Sequence, residues 1–473
     1  MAESDTGAYR VARDSLGEVR VPRDAYWGAQ TERARENFPV SGLRFPRRFI
    51  RAQGIVKLAA ARANRAVGML AEDVAQAIEA AAREVIEGRL DDHFPLDVYQ
   101  AGAGTSQNMN ANEVIANRAC ELLGAQRGDT SRVHPNDAVN MAQSTNDTMH
   151  VVIHVAVAEA VTRDLLPALD ELEAVLEEKV RAFDPIVKSG RTHLQDAVPI
   201  RLGQEFSGYL GAVRLARRAV EASLDGLYQV GMGGTAVGTG LNADPRFGAL
   251  AAQEIARETG LPFRLPESMF AFMQNLDAVV VASGAVRALA VALGKLASDL
   301  RLLASGPRTG IDEVRLPPVQ PGSSIMPGKV NPVMAEMLNM VCYQVFGHDA
   351  TVAQAAQGAQ LELNVMMPVI GYNALMAVQI LAGGVRAFTA RALRGLEANE
   401  ARCTWSIERS TAIVTALNPV LGYDRAAAIA KQAFAQDRMV RAVLVEDGIL
   451  PADEVERLLD VRAMTEPGAR GGE

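Results

Sequence analysis

Residues 273–305 read MQNLDAVVVASGAVRALAVALGKLASDLRLLAS, and this stretch decides the fold class. Its helical pattern is apolar on nearly all sides, with small residues such as Gly284 and Gly294 between the large ones. A helix that is apolar all round is buried among other helices or lies in a membrane. Charges such as Arg287 and Lys295 interrupt the run, whereas an ordinary membrane span needs about twenty predominantly apolar residues. The stretch therefore predicts the inner helix of a bundle, with neighbours that can belong to other subunits.

Long helices are also expected around this stretch, from about residue 149 to residue 400. Leu165, Leu169, Leu172 and Leu176 recur at intervals of three or four residues. That spacing places them on one face of a helix, as helix packing requires. The sequence therefore predicts a mainly α protein.

Three domains are expected, because the pattern changes twice along a chain of 473 residues. Residues 1–143 are mixed and mostly helical, and residues 144–400 form a central helical bundle. Residues 401–473 form a small C-terminal helical domain, which ends in a predicted disordered tail at residues 466–473.

Composition argues against two kinds of partner. Charged residues make up 22% of the chain and the formal net charge is −8, whereas a nucleic-acid-binding protein usually presents a basic face. Hydrophobic residues make up 49% and aromatic residues only 5%, which favours closely packed helices over sheets. We therefore expect no nucleic acid as a partner, and the charges within residues 273–305 argue against a membrane.

Cysteine usage points to a reducing compartment. Cys120, Cys342 and Cys403 are far apart and odd in number, which argues against a disulfide framework or a zinc site. The N-terminal segment is polar and charged, unlike a signal peptide. We expect a cytoplasmic protein without a bound metal.

The loop GSSIMPGKVNP at residues 322–332 is the strongest functional signal. Its glycines free the backbone to aim N–H groups at an anion. Lys329 adds a point charge for a carboxylate or phosphate, and Ser323 and Ser324 supply a base or a nucleophile. Such a loop suits a reaction in which negative charge develops on a small bound acid.

A loop of this composition has two other interpretations. A phosphate-binding loop needs four residues between its glycines and Ser or Thr after the lysine. Here five residues separate Gly322 from Gly328, and Val330 follows Lys329, so nucleotide binding is disfavoured. The other alternative is a mobile glycine-rich surface loop without a binding role. It is not excluded, because loops of that kind are common.

Polar clusters also lie at 105–108, 143–147 and 190–196, each at a break before or between helices. Their hydroxyls and amides bind carboxylates without adding fixed charge. Helix capping is the alternative for each cluster, although a cap needs only one such residue. His193 is either a core histidine or a functional one, and Glu336 is placed to orient a histidine and raise its basicity.

The segment at 231–236 matches the pattern GxGxxA of dinucleotide-binding folds. No apolar strand precedes it, as that fingerprint requires. Dinucleotide binding is therefore weakly supported.

Taken together, the motifs resemble the fumarase/aspartase superfamily over nearly the full chain. They occur in the expected order as GTSQNMNANEVIANRA, HPND, QSTND, GRTHLQDAVP, GGTAVGTGLN, GSSIMPGKVNP and LELNV. The motif GSSIMPGKVNP is highly specific for that superfamily.

The resemblance implies a mainly α, three-domain subunit that assembles into a homotetramer. The central domains would pack into a twenty-helix core, and each active site would take loops from three subunits. The implied reaction is a reversible β-elimination on a small dicarboxylate that gives fumarate, without an organic cofactor.

The resemblance also assigns roles by position. It implies that Ser323 is the general base, acting as an alkoxide, and that Lys329 and Asn331 hold the carboxylate next to the carbon that loses its proton. His193 is implied as a catalytic group with Glu336 as its partner. The pocket for the other carboxylate and the leaving group would comprise Thr105, Ser144, Thr145, Asn146, Thr192 and His193. A second dicarboxylate site would comprise His134, Asn136 and Asp137.

The leaving group is ammonia or water. Thr145 and Ala103 stand where fumarases usually have serine, which resembles aspartase. The motifs at 134–137 and 233–235 look more like fumarase. The balance of motifs favours an aspartate ammonia-lyase, with fumarate hydratase as the alternative. A catalytically idle helical scaffold is disfavoured, because the implied catalytic residues are all present.

Overall fold

The structure is a computed structural model, and it describes residues 8–468. The predicted disordered tail lies partly outside the described residues, at 469–473. The mainly α prediction is confirmed. The helices are α1 (Ala29–Asn37), α2 (Arg47–Ala66), α3 (Glu72–Glu87), α4 (Thr105–Leu122), α5 (Thr145–Ala160), α6 (Leu166–Phe183), α7 (Leu202–Leu227), α8 (Phe247–Thr259), α9 (Met269–Gln274), α10 (Asp277–Leu303), α11 (Val333–Gln357), α12 (Met367–Phe388), α13 (Glu400–Arg409), α14 (Asn418–Leu421), α15 (Tyr423–Ala435), α16 (Val440–Glu446) and α17 (Ala452–Leu458).

Strands are few and short. Between residues 8 and 468 they pair only as antiparallel two-stranded sheets. The pairs are β1 (Tyr9–Asp14) with β2 (Gly17–Pro22), β3 (Val187–Thr192) with β4 (Gln195–Arg201), and β5 (Val314–Arg315) with β6 (Glu397–Ala398). The β3–β4 hairpin carries one of the polar clusters, and a register irregularity lies between Ser189 and Arg191.

The chain forms two compact units that interleave along the sequence. Unit 1 comprises Met1–Pro167, Arg217–Ala290 and Tyr343–Ala382. Unit 2 comprises Ala168–Ala216, Val291–Cys342 and Gly383–Glu473. The predicted three-domain division at residues 143/144 and 400/401 stays a prediction.

In unit 1, α2 packs against α3, α5 and α8. Its sequence is rich in alanine with Phe49, Ile55 and Leu58, all fully buried or nearly so. A Cβ on Gly54 would lie 2.8 Å from Cγ1 of Ile86, so the missing side chain lets α2 and α3 approach closely. Lys57 is a basic residue of α2 that is only 1% exposed, whereas the arginines of this helix are half-buried.

In unit 2, the C-terminal helices enclose a small apolar core of their own. Ile413, Leu417, Ile429, Val443 and Leu458 are each at most 3% exposed. This cluster corresponds to the shorter helices that the sequence predicts after residue 400.

The helix predicted from residues 273–305 is α10. Its exposed and half-buried positions repeat every three or four residues, and Val281 (62% exposed) and Val291 (58%) are among them. A single chain therefore leaves one apolar side of α10 uncovered.

By length and composition, α10 and the segment Met367–Leu393 are apolar enough to cross a membrane. The charges in α10 therefore do not by themselves exclude a membrane span, contrary to the expectation from the sequence. A core helix of a soluble protein meets the same criterion.

Candidate active site

The loop at 322–332 closes on itself in unit 2. The N–H of Gly322 donates to the carbonyl of Lys329 at 2.8 Å, and the Asn331 side chain donates to the Gly322 carbonyl at 2.7 Å. A Cβ on Gly322 would lie 2.4 Å from the Lys329 oxygen, so only glycine fits there.

The loop directs two donors at one hydroxyl. Oγ of Ser323 accepts the backbone N–H groups of Ile325 at 3.2 Å and Met326 at 3.0 Å. Backbone N–H groups held in this way stabilise negative charge on an oxygen. Ser323 is half-buried, whereas Lys329 is exposed, so its ammonium is accessible to a ligand.

Glu336 lies in the first turn of α11, directly after the loop, and is half-buried. Within residues 8–468 of this single chain, no hydrogen bond joins Glu336 to His193. Its role as the partner of that histidine stays a prediction.

Thr192 and His193 lie at the tip of the β3–β4 hairpin, also in unit 2. Thr192 pairs with Gln195, so His193 and Leu194 form a two-residue turn. Their φ angles are 55° and 58°, in the left-handed region that such a turn requires and that side-chain-bearing residues rarely adopt. Both residues are exposed, and His193 therefore projects from a strained turn that the strands must hold.

A buried charge cluster supports this hairpin. Glu313 is fully buried and accepts two hydrogen bonds from Arg191, both at 2.9 Å. The ammonium of Lys188 lies 2.8 Å from the same carboxylate. A cavity of about 550 Å³ next to the cluster is lined by Lys188, Arg191, His193, Tyr209 and Lys295, among others.

In unit 1, the polar cluster at 143–147 begins α5. Ser144 is the N-cap, since its Oγ accepts the N–H of Asn146 at 3.2 Å. Asp147 completes a capping box by accepting the N–H of Ser144 at 2.9 Å. The capping interpretation is therefore correct for Ser144, while Thr145 and Asn146 lie at the positive end of the helix dipole.

Asp147 also ties this helix end to the segment with the GxGxxA pattern. Its second oxygen accepts the N–H groups of Gly233 at 3.1 Å and Thr235 at 3.0 Å. Burial raises the pKa of Asp147 to about 6, although these hydrogen bonds oppose the shift. The segment is a set of turns without a preceding strand, so it braces α5 and has no dinucleotide-binding geometry.

Thr105 is the first residue of α4 and is exposed. Gly104 before it has a φ of 77°, and a Cβ there would lie 2.6 Å from Cε of Met149 in α5. One turn further along α4, Nδ2 of Asn108 donates to Oγ1 of Thr145 at 3.1 Å. The starts of α4 and α5 are therefore neighbours, which brings Thr105 beside Ser144, Thr145 and Asn146.

His134, Asn136 and Asp137 are exposed at a short helical turn in unit 1. Nδ1 of His134 accepts the N–H of Asp137 at 3.2 Å. The structure thus groups the three residues of the predicted second dicarboxylate site, whose use stays a prediction.

The sequence did not predict the buried side chains that connect to Thr145 through Asn108. Lys57 on α2 donates to side-chain oxygens of Asn140 at 3.0 Å and Gln143 at 2.9 Å. The available signal was a lysine on a helical face that also carries Gln53 and Asn64, at positions four before and seven after it. Among the residues the structure describes, no cluster of three His, Cys, Asp or Glu side chains is placed to hold a metal ion.

Comparison with known proteins agrees with these motifs. A model of the lyase family matches residues 17–347, and a model of the fumarase C C-terminus matches residues 413–466. The chain is 52% identical to the class II fumarate hydratase of Halobacterium salinarum, over 98% of this chain and 99% of that protein. It is 46% identical to the aspartate ammonia-lyase of Bacillus subtilis, over 98% of both chains. The class II fumarase of Schistosoma mansoni superposes with a TM-score of 0.94 at 36% identity, over 98% of this chain and 100% of that one.

Proposed function

We propose that this chain, which belongs to the fumarase/aspartase superfamily of lyases, is a class II fumarate hydratase that interconverts L-malate and fumarate. The observation that carries the proposal is the full-length similarity to class II fumarases, which is higher for the Halobacterium salinarum protein than for the Bacillus subtilis aspartase. The preference for ammonia-lyase that the motifs give is therefore replaced by its alternative.

Ser323 is proposed as the base that removes the proton from the carbon next to a substrate carboxylate. Its Oγ already accepts two backbone N–H groups, which favour the deprotonated oxygen that a base needs. Lys329 and Asn331 would hold that carboxylate as it becomes a doubly negative aci-carboxylate. Contacts that strengthen as the charge develops accelerate the chemical step.

The N-terminus of α5 is proposed to bind the other carboxylate. The positive end of the helix dipole favours an anion at such a position, beside the N–H groups that Ser144 already caps. Thr145 offers its hydroxyl there and Asn146 a second amide N–H, since its first donates to the carbonyl of Ala236 at 2.8 Å. Thr105 would line the same pocket, and Thr192 and His193 would serve the leaving group.

Aspartate ammonia-lyase is the second candidate. Two observations favour it, namely Thr145 and Ala103 at positions where fumarases usually carry serine. The identity of 46% to the Bacillus subtilis enzyme also supports this activity, because proteins this similar share the same fold. Function depends on the site rather than on the fold, so only a substrate test separates the two.

A homotetramer with a shared helical core is proposed as the active form. The uncovered side of α10 repeats at intervals of three and four residues, as in helices that pack along a seam. Val281 and Val291 on that side are more than half exposed in the single chain. Burial against other subunits would remove this apolar surface from water.

Purified protein given L-malate or L-aspartate separately tests the proposal, with fumarate formation followed by ultraviolet absorbance. We expect fumarate from malate and little from aspartate. Fumarate from aspartate alone would overturn the assignment. Ser323→Ala should lower the rate by about 10²–10⁴-fold. Ser324→Ala is the matched control, and loss of rate only in that variant would move the base to Ser324.

A further inference from the structure

Lys57 is the buried start of a hydrogen-bond chain that leads to the proposed substrate pocket. Its side chain is 1% exposed, and its ammonium donates to Oδ1 of Asn140 and Oε1 of Gln143. An ammonium carries three donors and no acceptor. Both amides turn their oxygen atoms, and not their NH₂ groups, toward the lysine.

The far sides of these amides agree with that orientation. Nδ2 of Asn140 donates to the carbonyl of Gln143 at 3.2 Å. Nε2 of Gln143 donates to the carbonyls of Val139 at 3.0 Å and Met141 at 3.1 Å. The direction of every hydrogen bond around the lysine is thus determined.

Asn108 carries this direction onward. Its Nδ2 donates to Oδ1 of Asn140 at 3.2 Å and to Oγ1 of Thr145 at 3.1 Å. A reversed Asn108 amide would place its oxygen against the Asn140 oxygen that Lys57 has fixed. That contact between two acceptors is repulsive, so the orientation of Asn108 follows from the Asn140 oxygen, which also accepts from Lys57.

The orientation of Asn108 determines how the Thr145 hydroxyl is used. A hydroxyl has one donor and two acceptor lone pairs, and here its oxygen already accepts from Asn108. Its proton therefore remains free to donate to a ligand at the start of α5, where the side chain is half-buried.

We propose that Lys57 is a positioning residue, which holds the Thr145 hydroxyl as a donor toward an oxygen acceptor of the substrate through Asn140 and Asn108. The proposal rests on the proposed function, because that function places Thr145 in the substrate pocket. The acceptor is a carboxylate or a departing hydroxyl, and both require a donor.

The environment of Lys57 makes its hydrogen bonds costly to lose. Burial lowers the pKa of Lys57 to about 7, although the nearby negative charge of Asp147 opposes the shift. A lysine in a dry interior is costly to keep unless its hydrogen bonds are used. An apolar side chain of similar length would fill the same volume at lower cost.

A double-mutant cycle between Lys57→Met and Thr145→Val tests the proposal, with kcat and KM measured on whichever of malate or aspartate is turned over. We expect Lys57→Met to lower kcat/KM by about 10- to 100-fold, the loss of one hydrogen bond to a charged group. In the Thr145→Val background the same change should cost less than about twofold, because coupled residues are not additive. Equal losses in both backgrounds would overturn the proposal.

Lys179→Met is the matched control, since Lys179 is 7% exposed and donates at 3.0 Å to the carbonyl of Arg394, within unit 2. Its kcat/KM should be unchanged. If Lys57→Met does not accumulate as folded protein, Asn140→Ala interrupts the same chain and should show the same coupling to Thr145.

Calorimetric binding of fumarate to the same variants separates this proposal from the proposed function. If the losses of fumarate affinity in the single and double variants are non-additive but the parent protein does not turn over malate, the hydrogen-bond chain is retained and the hydratase assignment is rejected. If the losses of affinity are additive and the parent protein turns over malate, the hydratase assignment is retained and the hydrogen-bond chain is rejected.

Discussion

Arg191, two residues before His193, forms a bidentate ion pair with Glu313. Both nitrogen–oxygen distances are 2.9 Å. Glu313 is fully buried, and burial by itself would raise its pKa. Hydrogen bonds from Arg191 and Lys188 outweigh that effect and hold the pKa of Glu313 below its ordinary value. The strained turn at His193 is therefore anchored by a carboxylate that stays charged.

Glu313→Gln should loosen the hairpin that carries His193. Removing one partner of a buried ion pair costs about 3–5 kcal/mol, because uncompensated charge remains inside. We expect a lower Tm and a kcat for malate that falls by about tenfold or more. Thermal unfolding and steady-state kinetics measure both effects.

Asp437→Asn is the control for that variant, since Asp437 pairs with Arg409 at 2.6 Å on an exposed surface. Such pairs contribute about 0–1 kcal/mol, so Tm and kcat should stay near those of the parent protein. An unchanged Tm for Glu313→Gln would contradict the anchoring role.

His150→Leu should stabilise the protein, most of all in acid. Neither ring nitrogen of His150 has a hydrogen-bond partner within the described part of the chain, although the side chain is fully buried. Burial, aided by the proximity of His154, lowers its pKa to about 3. The unfolded chain binds this proton near pH 6.5, so stability is lost as the pH falls from about 6.5 toward 3.

The measurement is Tm against pH for the parent, His150→Leu and His154→Leu. We expect His150→Leu to raise Tm at pH 7 and to flatten its decline in acid. His154→Leu loses a hydrogen bond to the carbonyl of Leu227 at 3.2 Å and should gain less. A lower Tm with an unchanged acid slope for His150→Leu would show that the ring is satisfied.

Gly104→Ala should disturb the start of α4 and with it Thr105. Its φ of 77° costs an alanine about 1–2 kcal/mol, and the new methyl group would collide with Met149. Gly124 has a φ of 85° with nothing within 4 Å of an added Cβ, so Gly124→Ala isolates the strain alone. We expect a larger loss of Tm and of malate turnover for Gly104→Ala, and equal losses would mean that Met149 yields.

Val291→Glu should weaken the proposed assembly. A charge on the uncovered side of α10 would have to be buried between subunits, which is costly without a partner. Sedimentation should show smaller species, with malate turnover lost because each proposed active site would take loops from several subunits. Leu16→Glu is the control, since Leu16 is 79% exposed at the β1–β2 turn. An unchanged sedimentation coefficient for Val291→Glu would place the interface elsewhere.

Local features of the fold were predictable because their causes are local. Leu165, Leu169, Leu172 and Leu176 are all fully buried, as their spacing predicts. Capping by Ser144, which the sequence left open as the alternative to substrate binding, also depends on residues close to it in the chain.

Features that depend on distant residues were not predictable. Lys57 lies 83 and 86 positions before the amides it orients. The turn at His193 and Leu194 lacks the glycine or asparagine that identifies such turns in a sequence, because distant anchors such as Glu313 hold it. The boundaries between the two units fall inside α7, α10, α11 and α12, and no short window of sequence reveals such a division.

The most direct test of the central claim is a competition at the product. Fumarate is incubated with the protein in buffer that contains excess ammonium, and the products are identified by mass spectrometry. Addition of water should give malate as the main product, and Ser323→Ala should give neither product at a comparable rate. Aspartate as the main product, formed at a rate that Ser323→Ala abolishes, would contradict the hydratase assignment.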